Sequence, residues 1–257
     1  MPLRALLWDE DLASGVVQTL AGMDWGTWVS SMEVDQGIGR AIRAQAYIFF
    51  GFAIAALVPV CRRAFGIFYL AAALNLSFLA WLKYHDSGSG VGEFFEHASQ
   101  FCLPLVLALY AWGRRWQLLA KLSLAATFIC HGLFALDLPS QISWLNHPRP
   151  GYFIEMPMLC LKIESEAAAG HLLRFAGIAD FVVAVMIFFR GWPRLAGLFY
   201  MLVWGFVTAL ARPWAYYEPT AATETLMRWI PELLYRVPHF ALPLCLILAL
   251  QRRRAKN

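Results

Sequence analysis

The sequence predicts an all-α protein, a polytopic membrane helix bundle of about seven transmembrane helices. Three observations point there. The 257 residues are 60% hydrophobic and only 15% charged, whereas soluble domains are roughly half apolar and a quarter charged. The apolar residues come in long runs, each approaching the roughly 20 residues needed to cross about 30 Å of hydrocarbon. Backbone groups in lipid must be satisfied within their own segment, so these runs should be helices.

Taken in order, residues 1–43 form an N-terminal segment with Trp8, Trp25 and Trp28 among scattered acids, and they read as an amphipathic cover lying at the membrane interface. They contain no apolar h-region, so no signal peptide is expected. The spanning segments follow at about 44–60, 64–83, 97–113, 118–137, 169–189, 195–212 and 234–250. Between the fourth and fifth lies the longest loop, 138–168, punctuated by Pro139, Pro148 and Pro150, with a short interfacial helix expected over 153–167. Residues 84–92 read as a flexible turn, and Pro213-Trp-Ala-Tyr-Tyr again suits the interface.

Short connections set the orientation. Arg62, Arg63, Arg114, Arg115, Lys121, Arg190, Arg194, Arg252, Arg253, Arg254 and Lys256 all fall on one face, which carries no acid. The positive-inside rule puts that face in the cytoplasm and the N-terminus outside, as in a multi-pass protein of a cell inner membrane. The net charge of +4 is therefore a topological signal, and no nucleic-acid partner is expected. The partners implied are membrane lipid and other subunits of a membrane complex.

The segments also repeat. Glu93-Phe-Phe-Glu-His-Ala-Ser-Gln-Phe-Cys-Leu-Pro-Leu aligns with Glu232-Leu-Leu-Tyr-Arg-Val-Pro-His-Phe-Ala-Leu-Pro-Leu, Arg63-Ala-Phe-Gly-Ile-Phe-Tyr with Arg194-Leu-Ala-Gly-Leu-Phe-Tyr, and Arg43 with Arg174. Segments one to three thus recur as five to seven around an inserted fourth, a parallel 3+1+3 repeat about an axis along the membrane normal. The division is 1–43, the outer segment; 44–116, the first three-helix repeat; and 117–253, a four-helix unit.

All six histidines fall on the outer side. His131 and His239 lie inside segments, and Asp180 lies near mid-membrane with Arg174 and His171 above it. Buried ionisable groups in membranes are costly and face a partner, a cavity or a ligand. Asp180 shares a face with Gly177 and Ala184, so it should meet a neighbouring helix. It reads either as a proton-carrying or ligand-binding carboxylate or as a tie between two helices. His131 and His239 suit a quinone carbonyl, and less well a haem or metal; the alternative is two histidines bonded within the bundle. The candidate catalytic pair is Asp180 and His131, with His239, Arg174 and His171 as cofactor-binding candidates, among segments four, five and seven.

Two further sets carry ligand-type side chains. Glu93, Glu96 and His97, with His85 and Asp86, have the donors of a divalent metal site, against the alternative of a solvated helix N-terminus that favours acids. Met156, Met158 and Cys160 space like soft copper ligands, or like the apolar side of an interfacial helix. The five cysteines form no CxxC and no disulfide framework. Hydrolase and metalloprotease motifs are absent, and the seventh segment has no lysine for a retinal Schiff base.

Residues 117–250 resemble the DoxX-like family of small four-helix membrane proteins. The residues that carry the resemblance are Cys130-His-Gly-Leu-Phe, then Leu173-Arg-Phe-Ala-Gly-Ile-Ala-Asp180 after an amphipathic loop, then His239-Phe-Ala-Leu-Pro-Leu. Residues 1–116 depart from the family, as a second copy lacking its first helix. The resemblance implies a redox-associated subunit binding a quinone or other hydrophobic cofactor near the outer leaflet. The residues themselves leave open a small-solute or proton transporter, or a structural subunit without a site.

Overall fold

The computed structural model describes Leu7 and residues 10–57, 66–87, 90–136 and 152–254. Among the described residues the fold is entirely helical, without a strand. The elements are α1 (Glu10–Val16), a π-helical turn (Val17–Ala21), α2 (Trp25–Ser30), α3 (Met32–Leu57), α4 (Gly66–Ser87), α5 (Gly92–Glu96), α6 (Ala98–Ala111), α7 (Trp116–Leu136), α8 (Tyr152–Leu161), α9 (Glu166–Met186), α10 (Trp192–Ala215), a 3-10 turn (Pro219–Ala221), α11 (Ala222–Tyr235) and α12 (Val237–Arg254). Cys61, Arg62, Arg63, His147 and the proline-rich start of the long loop lie outside the described residues.

Among the described residues, four helices are long and apolar enough to cross a membrane: α4 over Gly66–His85, α7, α9 and α10. A fifth is counted when α11 and α12, bent by 40°, are taken as one span. Length and composition therefore give four or five spans where the sequence suggested seven. The difference has two sources. The first half of α3 carries Glu33, Asp35, Arg40 and Arg43, so one helix runs across the expected boundary at residue 43. The third expected span, 97–113, is the apolar helix α6, which at 14 residues is shorter than a full span.

Local chemistry explains the ends. Asp24 caps α2, accepting from the Thr27 N–H at 3.0 Å and the Thr27 hydroxyl at 2.5 Å. Those bonds hold its carboxyl below the usual range. Ser165 caps α9 through the Ala168 N–H at 3.4 Å. Gly191, at φ 77°, turns the chain between α9 and α10, a conformation in which a Cβ would clash. Pro193 then sits in the first turn of α10, where no N–H is needed.

The core lies between α7, α9, α10 and α12, around Leu124, Phe128, Val183, Ile187, Leu198, Met201, Leu242 and Leu246. Without hydrophobic drive inside lipid, helices associate through small residues that let backbones approach. Gly132 of α7 and Gly177 of α9 meet this way. A Cβ on Gly132 would stand 2.9 Å from the Gly177 carbonyl oxygen, and one on Gly177 3.0 Å from that of Gly132. Gly205 of α10 does the same for α12, where a Cβ would stand 2.8 Å from the His239 carbonyl oxygen. Helix α4 packs on α6 as α10 packs on α12, and α3 packs on α4. A bond of 2.5 Å from Gln45 to Asn75 ties α3 to α4.

Candidate functional site

Two interrupted helices define the centre of the polar layer. The first breaks at His97, between α5 and α6, and the second at Arg236, between α11 and α12. The backbone is nearly the same at both: φ −91°, ψ 8° at His97 and φ −90°, ψ −1° at Arg236. The bonds match too. The His97 N–H donates to the Phe94 carbonyl at 3.2 Å and that of Arg236 to Leu233 at 3.0 Å; the Gln100 N–H donates to His97 at 3.0 Å and that of His239 to Arg236 at 2.9 Å.

An interrupted helix leaves orphan N–H groups that lipid cannot satisfy. At the first break a neighbour supplies the acceptor: the Ser99 N–H donates to the Thr127 hydroxyl of α7 at 3.0 Å. At the second, Pro238 removes one donor from the first turn of α12.

The two breaks meet side by side. His239 is 1% exposed; its Nδ1 lies 2.7 Å from the Ser99 hydroxyl and its Nε2 3.4 Å from the Gln100 amide nitrogen. Gln100 and His239 stand 139 residues apart, the offset that also separates Glu93 from Glu232 and His97 from Arg236. The His131 ring of α7 packs edge-on against His239, with centroids 5.1 Å apart.

Ion pairs tie the outlying ends of these helices to their predecessors. Lys83 of α4 lies 3.3 Å from Glu93. Arg212 of α10 bonds Glu232, which Arg236 also reaches at 2.9 Å. Glu93, Glu96 and His97 are all buried, and one donor atom from each lies within 4.8 Å of the others. The alternative of a solvated helix N-terminus therefore does not describe this cluster. His85 is elsewhere, packed on Trp81 with centroids 4.4 Å apart.

Asp180 belongs to a separate contact. It is 2% exposed and does meet a neighbouring helix, accepting from the Tyr200 hydroxyl of α10 at 3.1 Å. Arg174 and His171 stand exposed on α9 and join neither group. Of the residues singled out from the sequence, His131 and His239 come together, and Asp180, Arg174 and His171 are not brought to them. Ser99, Gln100 and Thr127 were not among the residues chosen. The signal for Gln100 was its alignment with His239.

The described cysteines Cys102, Cys130, Cys160 and Cys245 are free thiols. Cys160 donates to the Ala211 carbonyl at 3.3 Å, joining α8 to α10. Chemically, the polar core offers carboxylates, imidazoles and an amide at the junction of two broken helices. Such a set has the chemistry to bind a cation or relay a proton. Comparisons with protein-family models, with curated proteins and with solved structures returned no match.

Proposed function

We propose that this chain is a multi-pass membrane protein of seven spanning segments in a parallel 3+1+3 repeat, and that it binds and moves a small cation or proton through the core around Gln100 and His239. One observation carries the reading: two helices are broken at residues related by one offset, and they touch at the break. Paired discontinuous helices at corresponding positions of two repeats are how many transporters build a binding site near mid-membrane. The repeat is further supported by the equivalent packing of α4 on α6 and α10 on α12, and by an ion pair from the preceding helix to Glu93 and to Glu232.

The apolar helices are compatible with an integral membrane protein, and the reading extends to orientation. Arg194 beside Lys121, and a cleft between Gly191, Arg194, Leu250 and Gln251, bring the basic ends of α7, α10 and α12 together. That supports a cytoplasmic face there, with the N-terminus outside in an inner membrane. Phe175, Ile178 and Val182 on α9, and Phe199, Val203 and Phe206 on α10, are exposed and suit contact with lipid.

A second reading follows the DoxX-like resemblance and is favoured by His131, which is partly exposed and packs edge-on against His239. There the imidazole pair would hydrogen-bond a quinone carbonyl in a redox-associated subunit.

Flux in proteoliposomes tests the first reading, with an interior pH dye and an imposed proton or cation gradient. Wild-type protein should exceed empty vesicles, and His239→Leu should return flux to the background. Wild-type flux equal to that of empty vesicles sinks the reading. A quinone extracted from the same preparation, and lost in His131→Ala, favours the second.

A further inference from the structure

We propose that Glu93, Glu96 and His97 form a binding site for one divalent transition-metal cation. This names a cation for the polar core; it rests on the solute reading for movement across the membrane, though not for binding.

The three residues stand at i, i+3 and i+4 on α5 and its C-terminal cap, so their side chains share one face. All are withdrawn from solvent, at 3%, 8% and 2% exposure. The donor atoms lie within 4.8 Å of one another. Bond lengths of about 2.0–2.2 Å to nitrogen and oxygen put tetrahedral donors about 3.3 Å apart, so small rotamer adjustments close the site.

The second observation is His97 itself. Neither of its ring nitrogens makes a hydrogen bond, although the ring is buried, and Nε2 is turned toward Glu96 Oε1 at 3.4 Å. A buried polar atom without a partner costs about 1–3 kcal/mol. A metal bound at a ring nitrogen removes part of that cost. The donor set is two carboxylates and one imidazole with no thiolate, which selects borderline cations such as Zn²⁺, Mn²⁺, Fe²⁺ or Co²⁺ over Cu⁺. Two carboxylates neutralise a divalent ion, which matters where uncompensated charge is expensive.

The second break shows what the first lacks. There Arg236 stands at the offset position of His97, and its guanidinium bonds Glu232 directly. A built-in cation holds that carboxylate. At the first break the corresponding side chain is an imidazole, and Lys83, a third exposed, reaches Glu93 from α4. Lys83 then competes with the metal.

The test uses the full chain in detergent, with any affinity tag removed and metals stripped by chelator. Co²⁺ is titrated while its visible d–d absorption is followed, and Zn²⁺ affinity is measured by calorimetry. One equivalent should bind. Glu96→Gln and His97→Ala should each weaken binding by more than about 100-fold, beyond the effect of losing a supporting residue. Glu232→Gln should leave binding unchanged, and Lys83→Met should tighten it. Circular dichroism of the stripped variants confirms folding, and the near-isosteric Glu96→Gln keeps the test valid where His97→Ala does not fold. No binding by the wild type, or equal binding by Glu96→Gln, overturns the proposal. Metal binding without flux would sink the transport reading and leave the site standing; proton flux without metal binding would do the reverse.

Discussion

At the scale of single residues, the polar side chains of this bundle divide into those that tie helices and those that meet at the core. Asp180 is of the first kind, because it accepts a hydrogen bond from the Tyr200 hydroxyl of α10. Interhelical hydrogen bonds in membranes contribute about 0.6–2 kcal/mol. Asp180→Asn keeps the acceptor and should change stability by less than about 1 kcal/mol, while Asp180→Leu should lose about 1–2 kcal/mol, read by titrating unfolding in detergent. Flux should survive Asp180→Asn. If flux is abolished while Tyr200→Phe is harmless, Asp180 belongs to the working site. The sequence made Asp180 conspicuous because an acid in an apolar run stands out, and its helical face foretold a partner helix. It did not tell which helix, because the donor lies on α10, 20 residues away. Gln100, though aligned with His239, and Ser99 do not stand out as site residues, because neutral polar residues carry little cost until their burial is known.

At the scale of elements, the breaks and the glycine contacts do the positioning. Pro238 marks the second break in the sequence. The first has no proline at its corresponding position, Ser99, and only its geometry at His97 reveals it. The glycines were partly legible: Gly177 was expected at a helix contact, and it meets Gly132. Gly205 was not, though it lets α10 approach the backbone of His239. Leucine at Gly205 would drive a side chain into that carbonyl. Overpacking of this kind costs about 1–3 kcal/mol. Gly205→Leu should lower the melting temperature and also weaken flux, because it displaces His239. A variant that loses stability with flux per folded molecule intact would separate Gly205 from the core.

At the scale of the whole molecule, the sequence predicted helices throughout and a membrane bundle, and the all-helical fold with its long apolar helices agrees. Composition determines that much, since long apolar runs have few other solutions. The number of spans was less legible, because charge fills the first half of α3 and α6 is only 14 residues long. Internal similarity was readable as aligned residues, whereas the meeting of the aligned Gln100 and His239 needs three dimensions.

The central claim is that the two broken helices face each other at Gln100 and His239. Cysteines placed at these two positions in an otherwise cysteine-free chain, treated in membranes with a short bifunctional thiol reagent, test it most directly. Intramolecular bridging is predicted, found by mass spectrometry as one linked peptide pair, with no bridging in a control pair at Gln100 and Leu250. Bridging absent at Gln100 and His239, or equal in the control, would contradict the account.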